Sequence, residues 1–170
     1  MKKIGVFYGT ETGNTEHVDK LIYQELVNED NAIMIEDIGQ TTVYQMQEAD
    51  LLILGIPTWL YGELDREWDE FLPNIDKIDF TGKKIALFGL GDQELYTETF
   101  LEAMATMYSI FKEKGADLIG EWPVEGYNSE ESSAKNGKKF VGLAIDEDNQ
   151  PDLTKDRVKR WVEQLKREFL

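Results

Sequence analysis

Short, nearly continuous apolar runs alternate with amphipathic stretches along this chain. The runs fall at residues 4–8, 32–35, 51–56, 85–90 and 118–122, and each leads into turn residues or a helical pattern. Apolar runs of this length without strict alternation predict strands covered on both faces. Between them the apolar positions recur at helical spacing: Val18, Leu21, Ile22 and Leu26; then Leu64, Trp68, Phe71 and Leu72; then Phe100, Met104, Met107, Tyr108 and Phe111. The same spacing returns in Val158, Trp161, Val162, Leu165 and Phe169, and a short crossover occupies residues 41–48. Strands alternating with helices predict a parallel sheet with right-handed crossovers. The expected fold is therefore α/β, a single three-layer doubly wound domain over residues 1–170 with a five-stranded parallel sheet of order 2-1-3-4-5.

One stretch breaks the pattern. Residues 124–139 are polar and rich in Gly, Ser, Asn and Glu, with Asn136-Gly137 as a turn signal, and they separate the run ending at Trp122 from a further apolar run at 140–145. They are read as an inserted surface excursion that interrupts the last strand.

Composition narrows the chemistry. The chain has no cysteine, which excludes disulfides, thiolate metal sites, iron–sulfur ligation and thiol catalysis by its own side chains. Any redox activity must come from a cofactor. Thirty-four acids against eighteen bases give a formal charge of −16, which repels nucleic acid and anionic membranes and draws basic partners. No 18-residue apolar run and no signal-peptide pattern at the amino end are present, so a cytoplasmic protein without membrane insertion is expected.

Three loops carry candidate chemistry. The segment YGTETGNTE, residues 8–16, follows the first strand and opens the first helix, where unpaired N–H groups and the helix dipole favour an anion. Hydroxyls of Thr10, Thr12 and Thr15 add neutral donors, and Gly13 allows close backbone approach. The Walker signature and the GxGxxG turn are both missing here, which argues against ATP hydrolysis. A second loop, GIPTWLYGEL, puts Trp59 and Tyr61 beside Gly62 after the third strand. A third, GLGDQELYTETF, brings Gly91, Asp92 and Tyr96 after the fourth. In the expected strand order these loops surround one crevice beyond the carboxyl ends of the strands. An anion cradle with two aromatic faces suits a phosphorylated planar ligand such as flavin mononucleotide, FMN. His17, the lone histidine, sits beside Glu16 with no identifiable nucleophile and reads as a surface residue.

YGTETGNTE, PTWLYGEL, FGLGDQELYTETF and FVGLAIDEDNQPDLTKDRVKRWVEQLK resemble the corresponding segments of flavodoxins, and the insertion resembles that of their long-chain group. The resemblance covers nearly the whole chain. It implies a small electron carrier with one tightly bound, non-covalent FMN, not a stand-alone enzyme. It implies, position by position, that Thr10, Glu11, Thr12, Gly13, Asn14 and Thr15 hold the phosphate and that Trp59 and Tyr96 sandwich the flavin ring. Backbone groups of Leu60, Tyr61 and Gly62 are then expected at the flavin N5 edge, and those of Leu90, Gly91 and Asp92 at the pyrimidine edge. Thr58 and Asp148 are expected near the ribityl chain. The expected partners of this monomer are basic-faced redox proteins, such as a ferredoxin/flavodoxin-NADP reductase and a low-potential acceptor or donor. The acid run Asp146-Glu147-Asp148, with Asp65, Glu67 and Asp69, is a candidate face for them.

Two alternatives share the topology. An FMN-dependent NAD(P)H:quinone reductase needs room for nicotinamide over the flavin, which a Trp59–Tyr96 sandwich would cover. A phospho-receiver needs an aspartate at the end of the third strand, where this chain has Ile56-Pro57-Thr58. The reading favoured is a low-potential one-electron carrier shuttling between semiquinone and hydroquinone. A loop carbonyl near Trp59 to Gly62 would favour the first reduced form, and the acidic, cation-free surroundings would oppose the anionic second.

Overall fold

The computed structural model describes residues 1–9, 13–27 and 30–169. In chain order the strands are β1 (Lys2–Tyr8), β2 (Asn31–Asp37), β3 (Leu51–Trp59), β4 (Glu63–Leu64), β5 (Lys84–Leu90), β6 (Asp117–Ile119), β7 (Trp122–Pro123), β8 (Lys135–Asn136), β9 (Lys139–Phe140) and β10 (Leu143–Ile145). The helices are α1 (Asn14–Leu26), α2 (Val43–Glu48), α3 (Arg66–Ile75), α4 (Glu102–Glu113) and α5 (Thr154–Phe169).

The main sheet runs β10-β5-β3-β1-β2 with every neighbouring pair parallel, and β6 also pairs with β5. β6 lies along Lys84–Ala86 and β10 along Phe88–Leu90, so the two are halves of one fifth strand. Counted that way, the order is the predicted 2-1-3-4-5 with the last strand interrupted. The centre of the sheet follows from its residues: seven consecutive positions of β3, Leu51 to Pro57, are buried because helices cover both faces. β2, at the edge, alternates between intermediate and exposed positions. Helices α1 and α5 pack together, while α4 crosses β3 and β5. Fully buried Trp68 and Trp161 each donate the indole N–H to a backbone carbonyl, Gly55 and Gly120 respectively, at 2.8 Å.

The structure corrects one boundary. The run at 118–122 does not continue as a single strand. Gly120, at φ 84°, turns the chain out of the sheet, and Trp122 pairs instead with Phe140 in a small antiparallel sheet of order β7-β9-β8. Segment 124–139 closes that sheet with a hairpin in which Asn136 ends β8 and Gly137-Lys138 make the turn, Gly137 at φ 68°. Buried Ser132 ties the excursion to the body by donating to the carbonyl oxygen of Phe100 at 2.6 Å.

Candidate functional site

The loops after β1, β3, β5 and β10 converge at the carboxyl edge of the sheet around a cleft of about 320 Å³. Thr10, Glu11 and Thr12 lie outside the described residues. Gly13 occupies the N-cap of α1 in a left-handed conformation, brings no side chain of its own to cap the helix, and its carbonyl accepts from the N–H of His17 at 3.0 Å. Asn14 and buried Thr15 line the cleft. A helix amino end flanked by an amide and a hydroxyl offers neutral donors to an anion.

From the loop after β3 come Pro57, Thr58, Trp59 and Leu60. The Thr58 hydroxyl accepts from the N–H of Ala103 at 3.2 Å, which fastens this loop to α4. The indole N–H of Trp59 is buried with no hydrogen-bond partner among the described residues. Leu60 holds φ 43°, a left-handed conformation that costs a non-glycine residue about 1–2 kcal/mol, and its carbonyl accepts from the Thr99 hydroxyl at 3.3 Å. Tyr61 and Gly62 do not line the cleft. Tyr61 is 78% exposed and meets the Tyr96 ring edge-on at 6.3 Å, and Gly62 turns the chain at φ 95°.

Leu90, Gly91, Asp92, Leu95 and Tyr96 complete the wall from the loop after β5. Asp92 is the staple of that loop: its Oδ1 accepts from the N–H groups of Glu94 and Leu95 at 3.1 and 2.9 Å and from the Asn149 amide at 2.8 Å. Burial alone would raise its pKa, yet these bonds to Leu95, Asn149 and Glu94 hold it below its ordinary value. Asp148, exposed at the rim, is pushed up by partial burial and by the charges of Asp92, Asp146 and Glu147.

Sequence reasoning missed two features. Leu95, 71% exposed and adjacent to Tyr96, adds an apolar lip that its place in the loop would have disclosed. Asp146 was read as part of an outward acid run but is fully buried. It accepts from the N–H and side-chain amide of Gln93 at 3.2 and 2.7 Å and from the N–H and side-chain amide of Asn149 at 3.1 and 2.9 Å. Asp65 is likewise buried, at the N-cap of α3, accepting from the N–H of Trp68 at 3.2 Å. Asp69 and Asp148 are exposed and Glu147 and Glu67 partly so, which leaves a smaller acidic face than expected.

Neutral donors stand at one end of the cleft and two aromatic side chains within it, and no lysine, arginine or histidine is among the described residues that line it. This set fits a planar ring bearing a phosphate, and the orphaned indole N–H of Trp59 is a donor that a ligand would satisfy. A second cleft, of about 340 Å³ between α2 and the β1–β2 edge, lies at the amino half of β1, away from these loops.

The protein-family model described as Flavodoxin matches residues 6–161. The chain is 46% identical over 170 residues to a protein of Klebsiella pneumoniae named Flavodoxin, covering 99% of this chain and 96% of that one. It is 46% identical over 166 residues to Flavodoxin 1 of Escherichia coli K12, covering 97% and 93%. The crystal structure of a Fusobacterium nucleatum flavodoxin bound to flavin mononucleotide superposes with a TM-score of 0.92 at 36% identity, covering 100% of both chains.

Proposed function

This chain belongs to the flavodoxin family, and from that premise we propose that it is a low-potential shuttle moving one electron at a time between basic-faced redox proteins. As a flavodoxin it is an electron-transfer protein with FMN as its cofactor, not a catalyst in its own right, and the reductase reading falls with that. FMN when bound supplies the redox chemistry, accepting one or two electrons.

The protein's own contribution is the environment. Asn14, Thr15 and the amino end of α1 hold the phosphate by neutral donors, joined by Thr10, Glu11, Thr12 and Gly13. Trp59 and Tyr96 cover the ring and exclude water, with Thr58 and Asp148 beside the ribityl chain. Backbone groups at Leu60, Tyr61 and Gly62 meet one ring edge, and those at Leu90, Gly91 and Asp92 the other. Thr99 and Ala103 brace the first of these loops and Asp146 and Asn149 the second.

The observation that carries the proposal is the absence of any basic side chain from the described lining of the cleft, within a chain of formal charge −16. Adding negative charge between Trp59 and Tyr96 is opposed by desolvation and by surrounding carboxylates. At an effective dielectric near 20, one unit charge roughly 10 Å away contributes about 1.7 kcal/mol, and each ~1.4 kcal/mol moves a one-electron potential by about 59 mV. Several such charges place the second reduction on the order of 100 mV or more below that of free FMN, before salt screening. Potentiometric titration of the FMN-loaded protein is expected to show two well-separated one-electron steps with a persistent half-reduced spectrum between them. Overlapping steps at the potentials of free FMN would overturn the proposal.

A further inference from the structure

Helix α5 carries a stripe that the flavin cleft does not use. Arg157, Arg160, Gln164 and Arg167 recur every three or four residues and therefore project from one side of the helix. With Trp122 and Leu153 they line a separate cleft of about 370 Å³ that shares no lining residue with the flavin cleft.

The charge there runs against the rest of the molecule. Three arginines gather in a chain whose acids outnumber its bases 34 to 18. Two carboxylates, Glu125 and Asp156, also line the cleft, and Asp156 is engaged by Arg160 at 3.0 Å in a largely exposed pair. Arg167 has no ion-pair partner among the described residues. Arg157 has none either, although it is only 5% exposed, and burial holds its pKa below the ordinary arginine value. Its Nη1 donates to the side-chain oxygen of Gln150 at 2.8 Å, a neutral partner. A desolvated cation with no carboxylate in direct contact is costly, the Asp146 charge acting on it only from beyond ion-pair distance, and an anion entering beside it lowers that cost.

Aromatic rings hold two of the guanidinium groups in place. Arg157 lies 4.1 Å from the Tyr127 ring centroid and Arg160 5.3 Å from that of Trp122. The rings are themselves fixed: the Trp122 indole donates to the Tyr127 hydroxyl at 3.0 Å, which donates to the carbonyl of Ala144 at 2.7 Å. A guanidinium braced in this way keeps its donor fork oriented at little further entropic cost, and that fork matches the paired oxygens of carboxylate or phosphate.

We propose that this cleft is a binding site for a small oxyanion, a phosphate or carboxylate group held by Arg157, Arg160 and Arg167. Its lining has one more positive than negative side chain, which suits a mono- or dianion and not a polyanion. Trp122, Pro123 and Leu153 supply an apolar wall for whatever carries the charged group.

The test uses the FMN-loaded protein, so that the phosphate loop is already filled. Inorganic phosphate and, separately, succinate, a dianion at neutral pH, are titrated at constant ionic strength while the Trp122 indole resonance and the backbone resonances of residues 156–168 are followed by NMR. A saturable response to either probe is expected, and the responding probe identifies the oxyanion class. The Arg160→Gln/Arg167→Gln double variant, altered only at exposed positions, should bind at least tenfold more weakly with an unchanged flavin spectrum. Arg157→Lys, which keeps the charge and loses the fork, should bind severalfold more weakly. Linear shifts matched by sodium chloride alone, or saturation undiminished in the double variant, would refute the site.

Discussion

Asp19 shows how one side chain can act against the element that carries it. It lies on the buried face of α1 between Val18 and Ile22, is 0% exposed, and neither carboxyl oxygen has a hydrogen-bond partner among the described residues. Burial, with the charges of Glu16 and Asp37, pushes its pKa well above the ordinary carboxylate value. A carboxyl whose folded pKa exceeds its unfolded one, near 3.9, holds a proton in the folded state that the unfolded chain has already released. Stability is therefore intact below about pH 4 and falls as the pH rises towards the folded pKa. Nearby Glu67 adds to this slope, its pKa raised to about 7 by burial and by its contact with Asp37. Asp19→Ala removes an unsatisfied acid and supplies a better helix former, so it is expected to stabilise the protein by about 1–2 kcal/mol at pH 7. Near pH 4 the gain should shrink to the part that helix propensity supplies, a few tenths of a kcal/mol, as measured by urea denaturation at both pH values. A variant less stable than the parent at pH 7 would show that Asp19 has a partner worth more than its burial costs.

At the scale of elements, the fold was largely legible because each strand is a compact apolar run and each helix carries an unbroken stripe. Trp68, Phe71, Met104, Phe111, Trp161 and Leu165 all reach the core as their spacing predicts. That the loops after β1, β3 and β5 meet at one cleft was legible too, since the strand order fixes where they converge. Two things were hidden. Trp122 continues an apolar run, and only the left-handed turn at Gly120 and the distant partner Phe140 take it into a different sheet. Asp146 looks like one of three consecutive surface acids, although its place directly after a buried strand, three residues before Asn149, is the signature of a carboxylate folded back on its own turn. That carboxylate joins the turn after β10 to the loop after β5, and Gln93 extends the link to the insertion by accepting from the N–H of Asn128 at 2.6 Å. Asp146→Ala would strand the buried amide of Gln93 and the donors around it, at a cost of about 2–4 kcal/mol. FMN affinity is expected to drop tenfold or more, because Gly91 and Asp92 lose their support. Calorimetric titration of the apoprotein measures this, and unchanged affinity would mean that the loop holds its shape without Asp146.

For the molecule as a whole, the excess of sixteen negative charges acts in two directions that salt can separate. Six ion pairs are present among the described residues, each involving at least one well-exposed side chain and worth a few tenths of a kcal/mol apiece. Screening weakens them and so works against the fold. Screening also relieves the mutual repulsion of the surplus carboxylates, which is spread over the whole surface and is the larger effect at this net charge. Raising sodium chloride from 10 mM to 0.5 M, which shortens the Debye length from about 30 Å to under 10 Å, should therefore raise stability by about 1–2 kcal/mol despite the loss of the pairs. The same change removes the long-range pull on a basic partner, so the association rate with a basic redox protein should fall by at least tenfold. Stopped-flow electron transfer and denaturant unfolding over one salt series measure both. If the acids clustered around the flavin cleft guide docking, the two curves move in opposite senses. A transfer rate indifferent to salt would instead assign docking to the apolar rim of Leu60, Tyr61 and Leu95, leaving the charge as an agent of solubility alone.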